Sequence, residues 1–326
     1  MKIGAFTILF NDISLEDTLD KLSGLGIEAV EIGTGAYSRS NHCDVEGLLN
    51  STEKLKEYED KFRKRQMFIS ALSTHGNPVH PNKDSAARHH KDFENTVLLA
   101  EKLGIDTVLV LSGCPGGSPA DQTPNWVTCA WPEDFRRILD YQWNEVLIPY
   151  WKKASEFARN HGVMKLGIEP HPGFCVYNTE TLQCLRRAVG KEIGINFDPS
   201  HFFWQGIDPV QVILELGDCI FHVHAKDLYI NNKNVQMNGV LDAKPYSAFT
   251  ERSWLFRTVG YGHSEEVWKG IVSALAAVGY DYVLSIEHED CLMTREEGLV
   301  KAAEMLGRII IKKKAEKMWW EMRAEG

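Results

Sequence analysis

Apolar and polar positions follow two alternating periods along this chain. Short β-rich runs are separated by longer stretches of helical spacing. Lys2 to Ile8 reads as a strand; Leu15, Leu19, Leu22 and Leu25 then recur at helical intervals, and Gly26 stops that helix. Ala29 to Ile32 reads as the second strand, the charged stretch from Glu46 to Arg65 as a helix, and Phe68 to Thr74 as the third strand. A helix over Ser85–Leu103 ends at Gly104, and Thr107 to Leu111 gives the fourth strand. A Gly/Pro-rich loop from Gly113 to Pro132 leads to a long helix from Glu133 to His161. Strands follow at Met164–Ile168, Ile193–Phe197 and Ile220–Ala225, with helices starting near Thr179 and Pro209. A second long loop spans Lys226 to His263. Helix Ser264–Val278, strand Tyr282–Ile286 and a last helix from near Thr294 complete the pattern.

Eight strand–helix units without a linker-like break predict one (β/α)₈ TIM barrel over residues 1–326, with long loops after strands 4 and 7. Residues 311–326 read as a peripheral tail. The amphipathic, basic run Ile309–Trp320 is expected to be a final helix packed on the barrel with a frayed end.

Barrel chemistry sits where strands end. The last four strands end in Gly167-Ile168-Glu169-Pro170-His171, Asn196-Phe197-Asp198-Pro199-Ser200-His201, His222-Val223-His224-Ala225-Lys226-Asp227 and Ser285-Ile286-Glu287-His288. Strand alternation puts Glu169 on the face of Gly167, Asp198 with Asn196, His224 with His222 and Glu287 with Ser285. The bulky apolar residues take the other parity, so Glu169, Asp198, His224 and Glu287 converge at the top of the lumen. Three carboxylates there repel one another unless a cation compensates. Three oxygen donors and an imidazole suit one divalent ion, with Mn²⁺ first and Mg²⁺, Co²⁺ or Zn²⁺ as alternatives.

Composition narrows the reading further. The chain has 326 residues, 44% of them hydrophobic and 25% charged, enough apolar material for a large core. Net charge is −9, the wrong sign for a dedicated nucleic-acid binder. Seven scattered cysteines without a CxxC pair read as reduced thiols in a cytoplasm. No apolar run is long enough for a membrane span.

This run of strand ends resembles the xylose-isomerase-like barrels, the sugar phosphate isomerase/epimerase family, over nearly the whole chain. The resemblance implies that Glu169, Asp198, His224 in its His-x-Lys-Asp context and Glu287 hold the metal. It also implies that Glu169 and Glu287 serve as the acid/base pair, and that His201 of the Asp-x-x-His arrangement binds substrate. A divalent ion on two neighbouring sugar oxygens stabilises an enediolate, and a carboxylate or imidazole beside it moves the α-proton. The expected activity is therefore a sugar isomerase or epimerase. The main alternative is the large subunit of a C-glycoside deglycosidase, a C–C lyase acting on 3-oxo-glycosides with a small second subunit. A DNA-repair nuclease is disfavoured by the net charge and by the missing further ligands, because strand four ends in Leu111-Ser112-Gly113-Cys114. The expected partner is a small sugar or oxo-glycoside, and an oligomer is expected.

Other candidates come from position. His75 ends strand three on the face of Ser73 and Ala71, and His171 lies two residues after Glu169 between two prolines; both are read as acid/base or substrate groups. Asn77 follows His75 in the same loop. Lys226 can bind a carbonyl or phosphate oxygen, or pair with Asp227. Glu31 ends strand two and can reach the lumen. His222 lies one layer below His224 and supports it; His80 and His288 read as packing or rim residues. Trp126 and Arg252, in the two long loops, are read as a flat sugar-facing wall and an anion contact.

Overall fold

The computed structural model describes residues 1–313. Parallel strands β1 (Lys2–Phe6), β2 (Ala29–Gly33), β3 (Phe68–Ser73), β4 (Thr107–Val110), β5 (Lys165–Ile168), β6 (Ile193–Phe197) and β7 (Ile220–Ala225) close into a barrel with the last strand of the chain. Two short antiparallel strands, β8 (Asp227–Ile230) and β9 (Trp254–Arg257), lie between β7 and that closing strand, β10 (Val283–Ile286). Around the barrel run α1 (Leu15–Gly24), α2 (Val45–Asn50), α3 (Thr52–Arg63), α4 (Lys83–Leu103), α5 (Glu133–Asp140) and α6 (Ile148–Asn160). The ring continues with α7 (Thr179–Val189), α8 (Ser200–Phe203), α9 (Pro209–Leu216), α10 (Asn232–Asn238), α11 (Glu265–Ala277) and α12 (Arg295–Ile309). The barrel expectation holds. The tail expectation falls largely on residues 314–326 and lies outside the described residues. No helix among the described residues is long and apolar enough to cross a membrane.

The apolar parity of the strands faces the helices. Leu166, Ile168, Ile195, Phe197, Val223, Leu284 and Ile286 are buried there, with Trp151 and Trp268 among the largest buried side chains. The other parity makes the lumen, which is polar: Glu31, Ser70, Ser73, Asn196, His222, His224 and Ser285 are all inaccessible to solvent. Gly167 belongs to this face. A Cβ there would stand 2.7 Å from Leu109 Cδ2, so any side chain would crowd the strand below Glu169.

Four elements differ from the sequence expectation, each for a local reason. The first strand ends at Phe6, and Thr7–Phe10 form a 3₁₀ turn; Thr7 Oγ1 donates to the Glu31 carbonyl and Phe10 drops into the core. The helix expected over Glu46–Arg65 breaks at Ser51, whose backbone is extended and whose hydroxyl caps α3 at Lys54 N–H. The long helix from Glu133 carries a π-helical stretch, Tyr141–Leu147. Within it, buried Gln142 donates to the carbonyls of Pro115, Gly116 and Asn125, tying down the loop after β4.

The loop after β7 is the fourth difference: it contains β8, α10 and β9. Asp227 organises it. Its Oδ2 accepts from the N–H groups of Gly260, Gly262 and His263 and from Trp268 Nε1, while Oδ1 accepts from Leu228 N–H and His263 Nδ1. At Gly262 a Cβ would fall 2.1 Å from the Leu228 carbonyl oxygen, so this wrapped loop requires glycine there.

Candidate metal centre

The ends of β5, β6, β7 and β10 bring Glu169, Asp198, His224 and Glu287 together, with one ligand atom of each within 4.8 Å of the others. Glu169, Asp198 and His224 are buried and Glu287 is nearly so. His224 Nε2 lies 2.8 Å from Glu31 Oε2. A carboxylate can only accept, so Nε2 carries the proton and Nδ1 faces the cluster, 3.0 Å from Glu287 and 3.4 Å from Glu169. Glu31 is held in turn by Ser73 Oγ at 2.5 Å and Ser285 Oγ at 3.0 Å. A carboxylate behind a histidine that presents its other nitrogen inward is the arrangement that orients a ligating imidazole.

A second chain of hydrogen bonds rises through the lumen. Ser70 meets His222 Nε2 at 3.1 Å, His222 Nδ1 meets Asn196 Oδ1 at 3.2 Å, and Asn196 Nδ2 donates to Glu169 Oε2 at 3.1 Å. Burial holds His222 down to about 4, so it is a neutral link in this chain.

Charge at the cluster is one-sided. Lys226 Nζ lies 3.0 Å from Asp198, 2.7 Å from Glu287 and 2.9 Å from Glu289. Burial would lower its pKa, yet these carboxylates hold it well above the ordinary lysine range. Burial likewise opposes His224, and Glu31, Glu287 and Glu169 overcome it, so the imidazole is driven to take up a cation. That cation is a proton on Nδ1 or a metal ion in its place. Glu169, against its own burial, is carried well below the usual carboxylate range by His224, His201 and His75. Glu287 is lowered in the same way, against its burial, by Lys226 and His224. Asp198 Oδ2 is buried, with Lys226 Nζ at 3.0 Å and His201 Nε2 at 3.4 Å. Clustered carboxylate oxygens, with Glu169 and Glu287 held ionised, and an oriented imidazole fit a divalent ion.

His201 Nε2 stands 3.0 Å from Glu169 and 3.4 Å from Asp198, and His75 Nε2 stands 3.2 Å from Glu169. Burial would lower His75, but Glu169 more than reverses it and raises its pKa. His171 packs against His201 with ring centroids 4.5 Å apart and tilted by 59°, and its Nδ1 meets the Pro172 carbonyl at 2.7 Å. Burial, then the charge of His201, pushes it down to about 3, which makes it a neutral hydrogen-bonding group.

Three expected substrate contacts sit elsewhere. Asn77 bonds both the N–H and the carbonyl of Cys114, joining the loops after β3 and β4. Trp126 packs edge-on against Tyr177 in a separate pocket with Trp143 and Cys175. Arg252 is buried between Tyr246 and Trp254 and bonds the carbonyls of Lys244 and Trp254, which staples the loop after β7 together. Lys226 pairs with the cluster rather than with Asp227. His80 accepts from Asn82 N–H and His288 from Asp290 N–H, as packing and rim residues. Sequence reasoning missed Glu289 as a Lys226 partner and Asn196 as a Glu169 donor. Strand parity was the available signal for both, each lying two residues from a ligand.

Fold and site together define a (β/α)₈ enzyme class with an acidic, imidazole-bearing centre at the carboxyl ends of its strands. The chain belongs to the xylose isomerase-like TIM barrel family, whose model matches residues 19–309. It is 39% identical over 313 residues to the uncharacterized protein YfiH of Bacillus subtilis (strain 168), covering 95% of this chain and 99% of that one. The fold matches that of the probable 3-DHS dehydratase AsbF from Bacillus anthracis, with a TM-score of 0.65, 16% identity, and coverage of 94% of this chain and 99% of that one. It also matches a D-tagatose 3-epimerase-like protein, with a TM-score of 0.61, 20% identity, and coverage of 95% and 98%.

Proposed function

We propose that this chain is a divalent-metal-dependent enzyme of the sugar isomerase/epimerase type, opening its reaction by removing a proton beside a carbonyl. The observation that carries the reading is the convergence of Glu169, Asp198, His224 and Glu287, with Glu31 fixing the histidine from behind. A divalent ion held by these four residues, Mn²⁺ by the donor set, supplies Lewis-acid stabilisation of negative charge on substrate oxygens.

The chain's own groups handle the proton. Glu169 and Glu287 are held ionised, the form a general base requires, and both line the open cleft. His75, whose pKa is raised by Glu169, can donate a proton or a hydrogen bond from the side of β3. His201 and Asn196 fix the orientation of Glu169 through its two oxygens. Neutral His171 offers a hydrogen bond to a substrate hydroxyl. Lys226 balances Asp198 and Glu287.

The test is proton exchange in D₂O. Protein supplied with Mn²⁺ is incubated with ketoses and 3-oxo-glycosides, and deuterium on carbon is read by mass spectrometry. Incorporation at one α-carbon is expected, and product analysis separates epimer from eliminated fragment. No exchange across the panel by protein that demonstrably holds the metal would sink the reading.

A further inference from the structure

The cleft above the cluster has a volume of about 840 Å³. Even at about 30 Å³ per heavy atom, the share of a liquid water molecule, the roughly twelve heavy atoms of a hexose fill less than half of it. Part of the remaining wall is apolar: Phe6, Ile8, Leu9, Leu111, Phe174 and Met293.

Carboxylates outnumber lysine and arginine side chains in the same cleft. Among the described residues lining it, the lysine and arginine side chains are Lys226 and Arg295. Lys226 is committed to Asp198, Glu287 and Glu289. Arg295 is forked onto both oxygens of Asp12 and also bonds Glu296 at 2.9 Å. Glu169, Glu287, Glu289 and Asp290 line the cleft as well. Of these, Asp290 is paired with Arg257 at 2.9 Å and accepts from Thr258 N–H. A phosphate ester carries up to two negative charges, and entering this cleft would set them beside carboxylates with no uncommitted lysine or arginine to receive them. Like-charge juxtaposition of that kind is a strong discriminator.

We propose that the site takes an unphosphorylated substrate: a sugar-type head with adjacent hydroxyl and carbonyl oxygens at the cluster, and an apolar substituent against the wall of Phe6, Leu9 and Phe174. This rests on reading the cluster as the reacting centre. The wall removes apolar surface from water, which favours an aromatic or alkyl group over a second sugar.

The experiment measures binding and exchange separately. Calorimetry on the Mn²⁺-supplied protein compares a free ketohexose with its 6-phosphate, and a phenyl with a methyl 3-oxo-glucoside. The free ketose is expected to bind about tenfold tighter than the ester, and the phenyl compound about tenfold tighter than the methyl one. Phe174→Ala, and independently Leu9→Ser, should shrink the phenyl advantage to about threefold or less. Ester binding as tight as the free ketose, or no gain from the phenyl group, would overturn the proposal. Deuterium exchange on the same samples keeps the two readings apart. Discriminating binding without exchange upholds the substrate class and removes the reaction; exchange with the ester preferred does the reverse.

Discussion

The strands β5, β6, β7 and β10 end in Glu169, Asp198, His224 and Glu287, whereas β1 runs into Phe6, Ile8 and Leu9 and β4 into Leu111. One arc of the barrel mouth thus presents ionised and imidazole groups backed by a polar lumen. The other presents ordinary hydrophobic side chains, broken mainly by His75. The comparison separates two tasks that share one cleft. The charged arc is held rigidly, by Glu31 behind His224 and by the Ser70–His222–Asn196 chain beneath Glu169, because a ligand set needs fixed geometry. The apolar arc needs only shape and dryness.

Breaking the charged arc gives the largest effect. Glu287→Ala removes a proposed ligand and one of the two proposed carboxylate bases, and should lower the exchange rate by about 10²–10³-fold or more. A loss of under tenfold would show that Glu287 lies outside the reaction. Acid acts on the support beneath the same arc. His222 sits at about 4 in the fold against about 6.5 when unfolded. The unfolded chain therefore takes up the proton first. This contribution is whole above pH 6.5 and is lost as pH falls toward 4, by about 3 kcal/mol in all. Urea titrations at pH 7.5, 5.5 and 4.5 read the slope, and His222→Asn should flatten it; an unchanged slope would remove His222 from the account.

Glu31→Gln comes next. It keeps the shape but replaces a charge-assisted partner of His224, and should weaken metal affinity about 10–100-fold with little change in the far-UV spectrum. Leu9→Ser works on the other arc: KM for an apolar substrate should rise about three- to tenfold with metal content unaltered. Loss of metal there would erase the distinction between the arcs. The smallest effect belongs to Trp126→Phe, which lies in a different pocket and should move kcat/KM by less than about twofold.

The two arcs also differ in how far the sequence reveals them. Carboxylates and histidines at strand ends are rare enough, and strand parity strict enough, that Glu169, Asp198, His224 and Glu287 can be placed in one lumen before any coordinates exist. Eight strand–helix units likewise give the barrel. Phe6, Leu9 and Leu111 carry no such mark, since a leucine facing a cleft has the same letter as one in the core. Asn77, Trp126 and Arg252 look functional by type and location, but their polar or aromatic groups are spent on loop carbonyls and neighbouring rings. Whether an exposed-looking loop residue faces substrate depends on how the loop folds back. In the loop after β7 that is decided by Asp227 and the glycines around it, a tertiary arrangement with no local period.

The metal content of wild type and Glu287→Ala, measured side by side by elemental mass spectrometry after exposure to Mn²⁺, tests the central claim most directly. About one divalent ion per chain is expected in the wild type and close to none in the variant. Equal occupancy in both, or no ion in the wild type, would contradict it.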